Sequence, residues 1–196
     1  MNIVFDIGNV LIAWEPHAAF RHAFDDDAQI DGFFDEVGFF EWNLEQDRGR
    51  RRAEAVAAVP DAHAALLDGY FDRFHLTITR KITDTWALMD RLRAKGHGIF
   101  GLTNFAPDTW DVALQLHPQL GEAFADVVVS GHEGMIKPER QIYDLLCRRN
   151  LLSPSDCLFI DDSAANAQGA RNAGWQAHHF TSPDILRRDL TERGLL

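Results

Sequence analysis

The chain has 196 residues, 46% of them hydrophobic by type, and a formal net charge of −11. That length suits one domain, or a domain carrying an insertion, with enough apolar material to bury a sizeable core. The acidic balance argues against a surface for nucleic acid or an anionic membrane, although a divalent cation could reverse the local sign for an anionic substrate.

The first apolar run, 2–6, predicts a strand that ends on Asp6 in Ile3-Val4-Phe5-Asp6-Ile7-Gly8-Asn9-Val10. Residues 15–81 follow at helical rather than strand spacing: Phe20 and Phe24; Phe33, Phe34 and Val37; Leu66, Leu67, Tyr70, Phe71 and Phe74. Four or five short helices are expected there, with breaks at the Gly-Arg-Arg-Arg of 49–52 and at Pro60. From 82 onward, helical patterns over 83–95, 107–117, 138–150, 163–173 and 183–193 alternate with strand-like runs at 97–103, 126–130, 157–161 and 175–180. Such alternation predicts an α/β fold with a parallel sheet and crossover helices on both faces, giving three layers. The expected division is a core of 1–14 and 82–196 interrupted by a helical cap of 15–81. Boundary signals agree: Ser182-Pro183-Asp184 reads as N-cap, first-turn proline and first-turn acid, while Gly96 and Gly174 suit left-handed positions past helix ends.

The two cysteines, Cys147 and Cys157, form no disulfide framework and are expected as reduced core residues. The amino terminus leads straight into a strand, and no apolar stretch approaches the length of a membrane span. A cytoplasmic location is the expectation.

Ligands of parallel α/β sheets bind beyond the carboxyl ends of the strands, and the polar residues gather there. Asp6, Thr103-Asn104 and Asp161-Asp162 each end or follow a strand-like run, and Lys137-Pro138 opens a helical stretch with the proline in its first turn. A carboxylate at a buried strand tip can attack phosphorus. Adjacent carboxylates are unfavourable unless a cation offsets them, and Mg²⁺ takes oxygen ligands. Asp6 and Asp162 are expected as direct ligands and Asp161 as one acting through water, with Asp162 doubling as N-cap of the 163–173 helix. The Thr103 hydroxyl and the backbone at Asn104 suit phosphate oxygens, and Lys137 supplies a point charge. In the cap, Glu41 to Arg48 is a candidate substrate-facing loop. Trp42 there is either a substrate contact or a packed cap residue, and Arg48 is expected as a solvated helix end. Trp14 either lines the mouth or packs cap against core. His132 is the histidine nearest a motif, and no histidine is assigned a role.

In order and spacing, these four motifs resemble the haloacid dehalogenase superfamily of aspartate-nucleophile phosphatases, in its subfamily with a helical cap between the first and second motifs. Phe5-Asp6-Ile7-Gly8-Asn9-Val10 is similar to the bacterial sugar-phosphatase branch, close to the N-terminal phosphatase domain of soluble epoxide hydrolase. The resemblance implies a Rossmann-like core and a Mg²⁺-dependent phosphoric monoester hydrolase working through an aspartyl phosphate. Its substrate would be a small phosphorylated metabolite, sugar phosphates first, with neither nucleic acid nor membrane as partner. Asp6 would be the nucleophile. Thr103, Asn104 and Lys137 would hold the phosphoryl group, with Asn9 and Trp42 as further substrate contacts. Metal ligands would be Asp6, Asp162, the Gly8 carbonyl and, through water, Asp161.

One position departs from the pattern. Most phosphatases of this superfamily carry a general acid two residues after the nucleophile, where this chain has Gly8. Leaving-group departure is then expected to proceed with little proton assistance, unless another residue, one from the cap included, supplies the proton. Two alternatives follow. A metal-free 2-haloacid dehalogenase is disfavoured by Asp161-Asp162. A catalytically weak phospho-ligand-binding protein is kept open by Gly8.

Overall fold

The computed structural model describes residues 1–196. Strand β1 (Asn2–Phe5) leads through a 3₁₀ turn (Pro16–Ala19) into helices α1 (Asp27–Val37), α2 (Phe39–Asp47), α3 (Arg52–Ala57) and α4 (Asp61–Thr77). Then come α5 (Thr83–Ala94), β2 (Gly98–Thr103), α6 (Pro107–Leu116), β3 (Val127–Val129) and the single turn α7 (Ser130–Glu133). The chain closes with α8 (Arg140–Asn150), β4 (Cys157–Asp161), α9 (Ala164–Asn172), β5 (Gln176–His179) and α10 (Pro183–Glu192).

The five strands form one parallel sheet in the order β3-β2-β1-β4-β5, so β1 is central. Its neighbours explain why its residues are almost all apolar: parallel strands covered on both faces have no solvent side. Successive side chains point to opposite faces. Ile3 and Phe5 pack in one apolar cluster with Leu88, Met89 and Leu92 of α5 and Leu186 and Leu190 of α10. Val4 packs in a second cluster with Ile142, Tyr143 and Leu146 of α8 and Ala167 and Ala170 of α9. The result is the expected three-layer α/β architecture with a Rossmann-like sheet.

The helical insertion shares the first cluster instead of building one of its own. Phe34 stacks on Phe39 with centroids 4.2 Å apart, Phe39 meets Tyr70 edge-on at 5.2 Å, and Phe74 meets Phe105, just past β2, at 5.9 Å. This aromatic chain ties the insertion to the carboxyl edge of the sheet. The breaks fall as the sequence suggests, between α2 and α3 and at Pro60 before α4.

Helix ends carry two corrections. The Ser182 hydroxyl caps α10, and Gly96 and Gly174 have φ of 85° and 89°, as anticipated. The N-cap of α9, however, is Ser163, whose hydroxyl accepts from the Asn166 N–H at 3.4 Å. Asp162 therefore does not cap the helix. Likewise α8 starts at Arg140, so Lys137-Pro138 occupy the turn ahead of it rather than its first turn. Cys147 and Cys157 are buried and unpaired. No helix is long and apolar enough to cross a membrane.

Candidate active site

The register of β1 with its neighbours sets the site. Phe5 pairs with Ile160 of β4 and with Gly101 of β2, so the next residues, Asp6 and Asp161, emerge side by side at the sheet edge. The Asp6 N–H donates to the Ile160 carbonyl at 2.9 Å and holds them level. Asp6, Asp161 and Asp162 each offer an oxygen within 4.8 Å of the others.

Lys137 lies beneath this group. Its ammonium is 2.8 Å from Asp6 Oδ1 and 2.7 Å from Asp161 Oδ2, its side chain is only 1% exposed, and it sits over the Phe159 ring at 5.3 Å. Asn104 fixes the lysine's backbone from both sides: its Oδ1 accepts from the Lys137 N–H at 2.9 Å and its Nδ2 donates to the Lys137 carbonyl at 3.2 Å. Asp161 is fully engaged by protein donors. Besides Lys137, it accepts from the Ser163 N–H at 2.8 Å and from Asn166 Nδ2 at 3.2 Å to either oxygen. Asp162 accepts from Asn9 Nδ2 at 3.1 Å, and Asn9 Oδ1 in turn accepts from the Trp14 N–H at 3.0 Å. Asn9 holds a left-handed backbone, φ 54°, to make that turn.

The electrostatics are those of an under-compensated cluster. Three carboxylates face one ammonium, an excess of two negative charges if all are ionised. Burial pushes the Asp6 carboxyl well above the ordinary carboxylate range; Lys137 opposes the shift, while Asp161 and Asp162 add to it. Asp162 is raised by burial and then by Asp161. For Lys137, burial alone would depress the ammonium, but Asp161 and Asp6 outweigh it and hold it above its usual value. Such a site can take up a hard cation through oxygen donors.

Above the cluster opens a cleft of about 190 Å³, lined by Asp6, Gly8, Asn9, Thr103, Asn104 and Asp162 from the core. Trp14, Asn43, Asp47, Phe74, Phe105 and Thr109 complete the lining. The Thr103 hydroxyl is buried without a partner, a donor free for a ligand oxygen. Lys137 is not part of the cleft wall; it contacts the nucleophile candidate from below. Trp14 does both things foreseen for it, lining the cleft and stacking on Phe39 with centroids 6.5 Å apart.

Trp42 is placed differently from the other sequence candidates. It is 6% exposed, packs against Phe39, Tyr70 and Phe71, and donates its indole N–H to the Ala55 carbonyl at 3.0 Å. The reason is helical phase. The segment 41–48 belongs largely to α2 rather than to a loop, and Trp42 and Gln46, four residues apart, face inward. Asn43 and Asp47, one step round the helix, face the cleft instead. Both belong to the 41–48 segment that the sequence offers as substrate-facing, whereas nothing in the sequence marks Phe74, Phe105 or Thr109 as cleft residues. The i, i+4 pairing of Asn43 with Asp47 was the available signal. Arg48 is not merely solvated: it pairs with Glu139 of the core at 2.8 Å.

Comparison with known proteins gives the same direction. The family model for haloacid dehalogenase-like hydrolases matches residues 1–174. The sesquiterpene phosphatase astK of Aspergillus oryzae is 22% identical over 180 residues, 91% of this chain and 88% of that protein. The mouse bifunctional epoxide hydrolase 2 is 36% identical over 67 residues, 34% of this chain but only 12% of that much longer protein. A HAD family enzyme of Bacteroides thetaiotaomicron, solved in complex with magnesium and inorganic phosphate, superposes with a TM-score of 0.72 at 21% identity. That superposition covers 92% of this chain and 94% of the other.

Proposed function

The chain belongs to the haloacid dehalogenase-like hydrolases, and from that premise we propose that it is a Mg²⁺-dependent phosphatase of small phosphate monoesters, sugar phosphates first. The observation that carries this reading is the under-compensated trio of buried Asp6 and Asp161 and half-buried Asp162 around one ammonium, beneath a cleft with an unpartnered Thr103 hydroxyl. The magnesium and phosphate held by the Bacteroides relative and the phosphatase name of the Aspergillus relative support it.

The donor set fits Mg²⁺. Asp6 and Asp162 carry the oxygens that open on the cleft, and the Gly8 carbonyl is the third candidate ligand. Asp161 is spent on Lys137, Ser163 and Asn166, which suits a role through water. When bound, the ion would neutralise charge on the phosphoryl oxygens. Asp6 attacks phosphorus with one carboxylate oxygen and expels the alcohol, forming an aspartyl phosphate. Thr103 donates to a phosphoryl oxygen. Lys137 opposes the upward pull of burial on Asp6 and holds its carboxylate in register, because its buried ammonium lies 2.8 Å away. Water then cleaves the intermediate and returns Asp6 as carboxylate.

The carboxylate trio also weighs against a metal-free dehalogenase, in which one ammonium would face three acids with no cation to offset the excess. The deciding experiment is a phosphate-release screen over metabolite esters, sugar phosphates included, with Mg²⁺ and with EDTA. Turnover of small monoesters in Mg²⁺ alone is expected. Chloride release from 2-chloropropionate in EDTA, or no phosphate from any ester, would overturn the proposal.

A further inference from the structure

The cleft contains a third acid that the metal cluster does not use. Asp47 ends α2 and reaches the cleft from the insertion, opposite the sheet edge that carries Asp6. Of the twelve lining residues only Asp6, Asp162 and Asp47 have ionisable side chains, and the first two belong to the metal cluster. Meanwhile Gly8, where related phosphatases keep their acid, has no side chain to give. We propose that Asp47 is the general acid and base of this site, protonating the leaving oxygen and then activating water. This rests on the phosphatase reading above.

The surroundings orient the carboxyl and leave it without a salt bridge. Asn43 Nδ2 donates to Asp47 Oδ2 at 3.3 Å, and the Ala106 backbone, in the loop after β2, favours the charged carboxylate. The basic neighbours on its own chain segment are committed elsewhere: Arg48 to Glu139 at 2.8 Å, Arg50 to Gln46 Oε1 at 2.6 Å and to the Trp42 carbonyl at 2.9 Å. From α4 it faces the Tyr70 phenol, from the turn before α8 the Lys137 ammonium at longer range, and across the cleft Asp6 and Asp162. The carboxyl end of a helix also disfavours negative charge. Burial dominates, and the Ala106 backbone and Lys137 only partly oppose it, so the carboxyl is pushed up to about 7. An acid in that range serves both half-reactions near neutral pH.

The backbone at this point is clamped to the core. The Asp47 carbonyl accepts from the Ser130 hydroxyl, which itself accepts from the Phe105 N–H at 3.0 Å. Two residues on, Gly49 at φ 106° approaches Gly131 so closely that a Cβ would lie 2.9 Å from its carbonyl oxygen. The insertion therefore presents Asp47 from a fixed position.

The steps balance. In the first, an Asp6 oxygen bonds to phosphorus, the phosphorus–oxygen bond to the leaving group breaks, and the Asp47 proton passes to that oxygen, releasing ROH. In the second, water attacks phosphorus, its proton returns to the Asp47 carboxylate, and the bond to Asp6 breaks. The products are inorganic phosphate, an ionised Asp6 and a protonated Asp47.

The test compares wild type with Asp47→Asn in saturating Mg²⁺ on p-nitrophenyl phosphate and on an alkyl phosphate. For kcat/KM, which reports the first transfer, the variant should lose about 10²–10⁴-fold on the alkyl ester and only a few-fold on the aryl ester. The basic limb near pH 7 should vanish from its profile, and its aryl reaction should show a burst of p-nitrophenol before a slow steady state. An equal loss on both esters, or a KM rise with kcat intact, would mean that Asp47 only binds or braces, and would overturn the inference. Should the variant fail to fold, wild type carries the test alone: a shallow dependence of kcat/KM on leaving-group acidity below pH 7, steepening above it, is expected, and a dependence steep at every pH refutes. Failure of wild type on both esters and on a sugar-phosphate panel would instead sink the phosphatase reading itself.

Discussion

Replacing Lys137 with methionine isolates the electrostatic core of the site. Methionine keeps much of the stem that packs over Phe159 and removes only the charge. The ammonium lies 2.8 Å from Asp6 and 2.7 Å from Asp161 with 1% of its side chain exposed. At an effective dielectric of about 20, each contact is worth about 6 kcal/mol of Coulomb energy before desolvation. Most of that offsets the cost of burying the three groups, and removing one partner of a buried pair typically costs about 3–5 kcal/mol. Lys137→Met should lose that amount at pH 8. Without the ammonium, the burial that raises Asp6 is unopposed, and Asp6 holds a proton in the folded state that the unfolded chain releases above pH 4. The native state then binds more protons than the unfolded one, so stability falls as pH rises. The deficit should therefore be smaller at pH 5 than at pH 8, and Mg²⁺ should restore more stability to the variant than to wild type. Urea unfolding at the two pH values, with and without Mg²⁺, reads all three. A deficit below about 1 kcal/mol at pH 8, or one that does not change with pH, would refute the charge argument.

Thr103→Val removes a buried hydroxyl that has no partner, so the thermal midpoint should hold or rise slightly. Inhibition by inorganic phosphate should weaken about tenfold, the equivalent of ~1.4 kcal/mol; unchanged inhibition would detach Thr103 from the phosphoryl group. Gly8→Asp should be accepted structurally, since nothing lies within 4 Å of the added Cβ. In an Asp47→Asn background it should recover part of the alkyl-phosphate activity, measured as kcat/KM. Asp47→Asn itself should be more stable than wild type at high pH. The wild-type carboxyl rises from 3.8 to about 7 on folding, so its contribution is full below pH 4 and is lost as pH climbs through 7. A three-unit shift corresponds to ~4 kcal/mol. Asp47 opens on cleft water, so about 2 kcal/mol at pH 8, and none at pH 4, is the expected difference in unfolding free energy.

The strands and core helices were legible because a parallel sheet covered on both faces writes itself as short apolar runs separated by amphipathic helices. Asp6, Thr103, Asn104, Asp161 and Asp162 could be placed together because each ends or follows such a run, and chain direction in a parallel sheet fixes which end that is. The insertion was legible only as helices. Whether Trp42 or Asn43 meets the cleft depends on the rotation of α2, and that is set by contacts with Tyr70 and Phe71 far along the chain. Within the 41–48 segment Asp47 could not be told apart for the same reason, and because its raised carboxyl comes from burial in the folded chain. The capping of α9 was misplaced by one residue because Asp162 and Ser163 are equally good caps in isolation. In the fold the Asp162 carboxylate accepts from Asn9 Nδ2 at 3.1 Å, and Ser163 caps the helix.

The most direct test of the account is to identify the phosphorylated residue. Wild type would be mixed with an aryl phosphate in Mg²⁺, quenched in acid within the first turnover, digested and mapped by mass. One phosphate is expected on Asp6, absent in Asp6→Asn and absent when EDTA replaces Mg²⁺. A phosphate on any other residue, or phosphate release that persists undiminished in EDTA, would contradict the account.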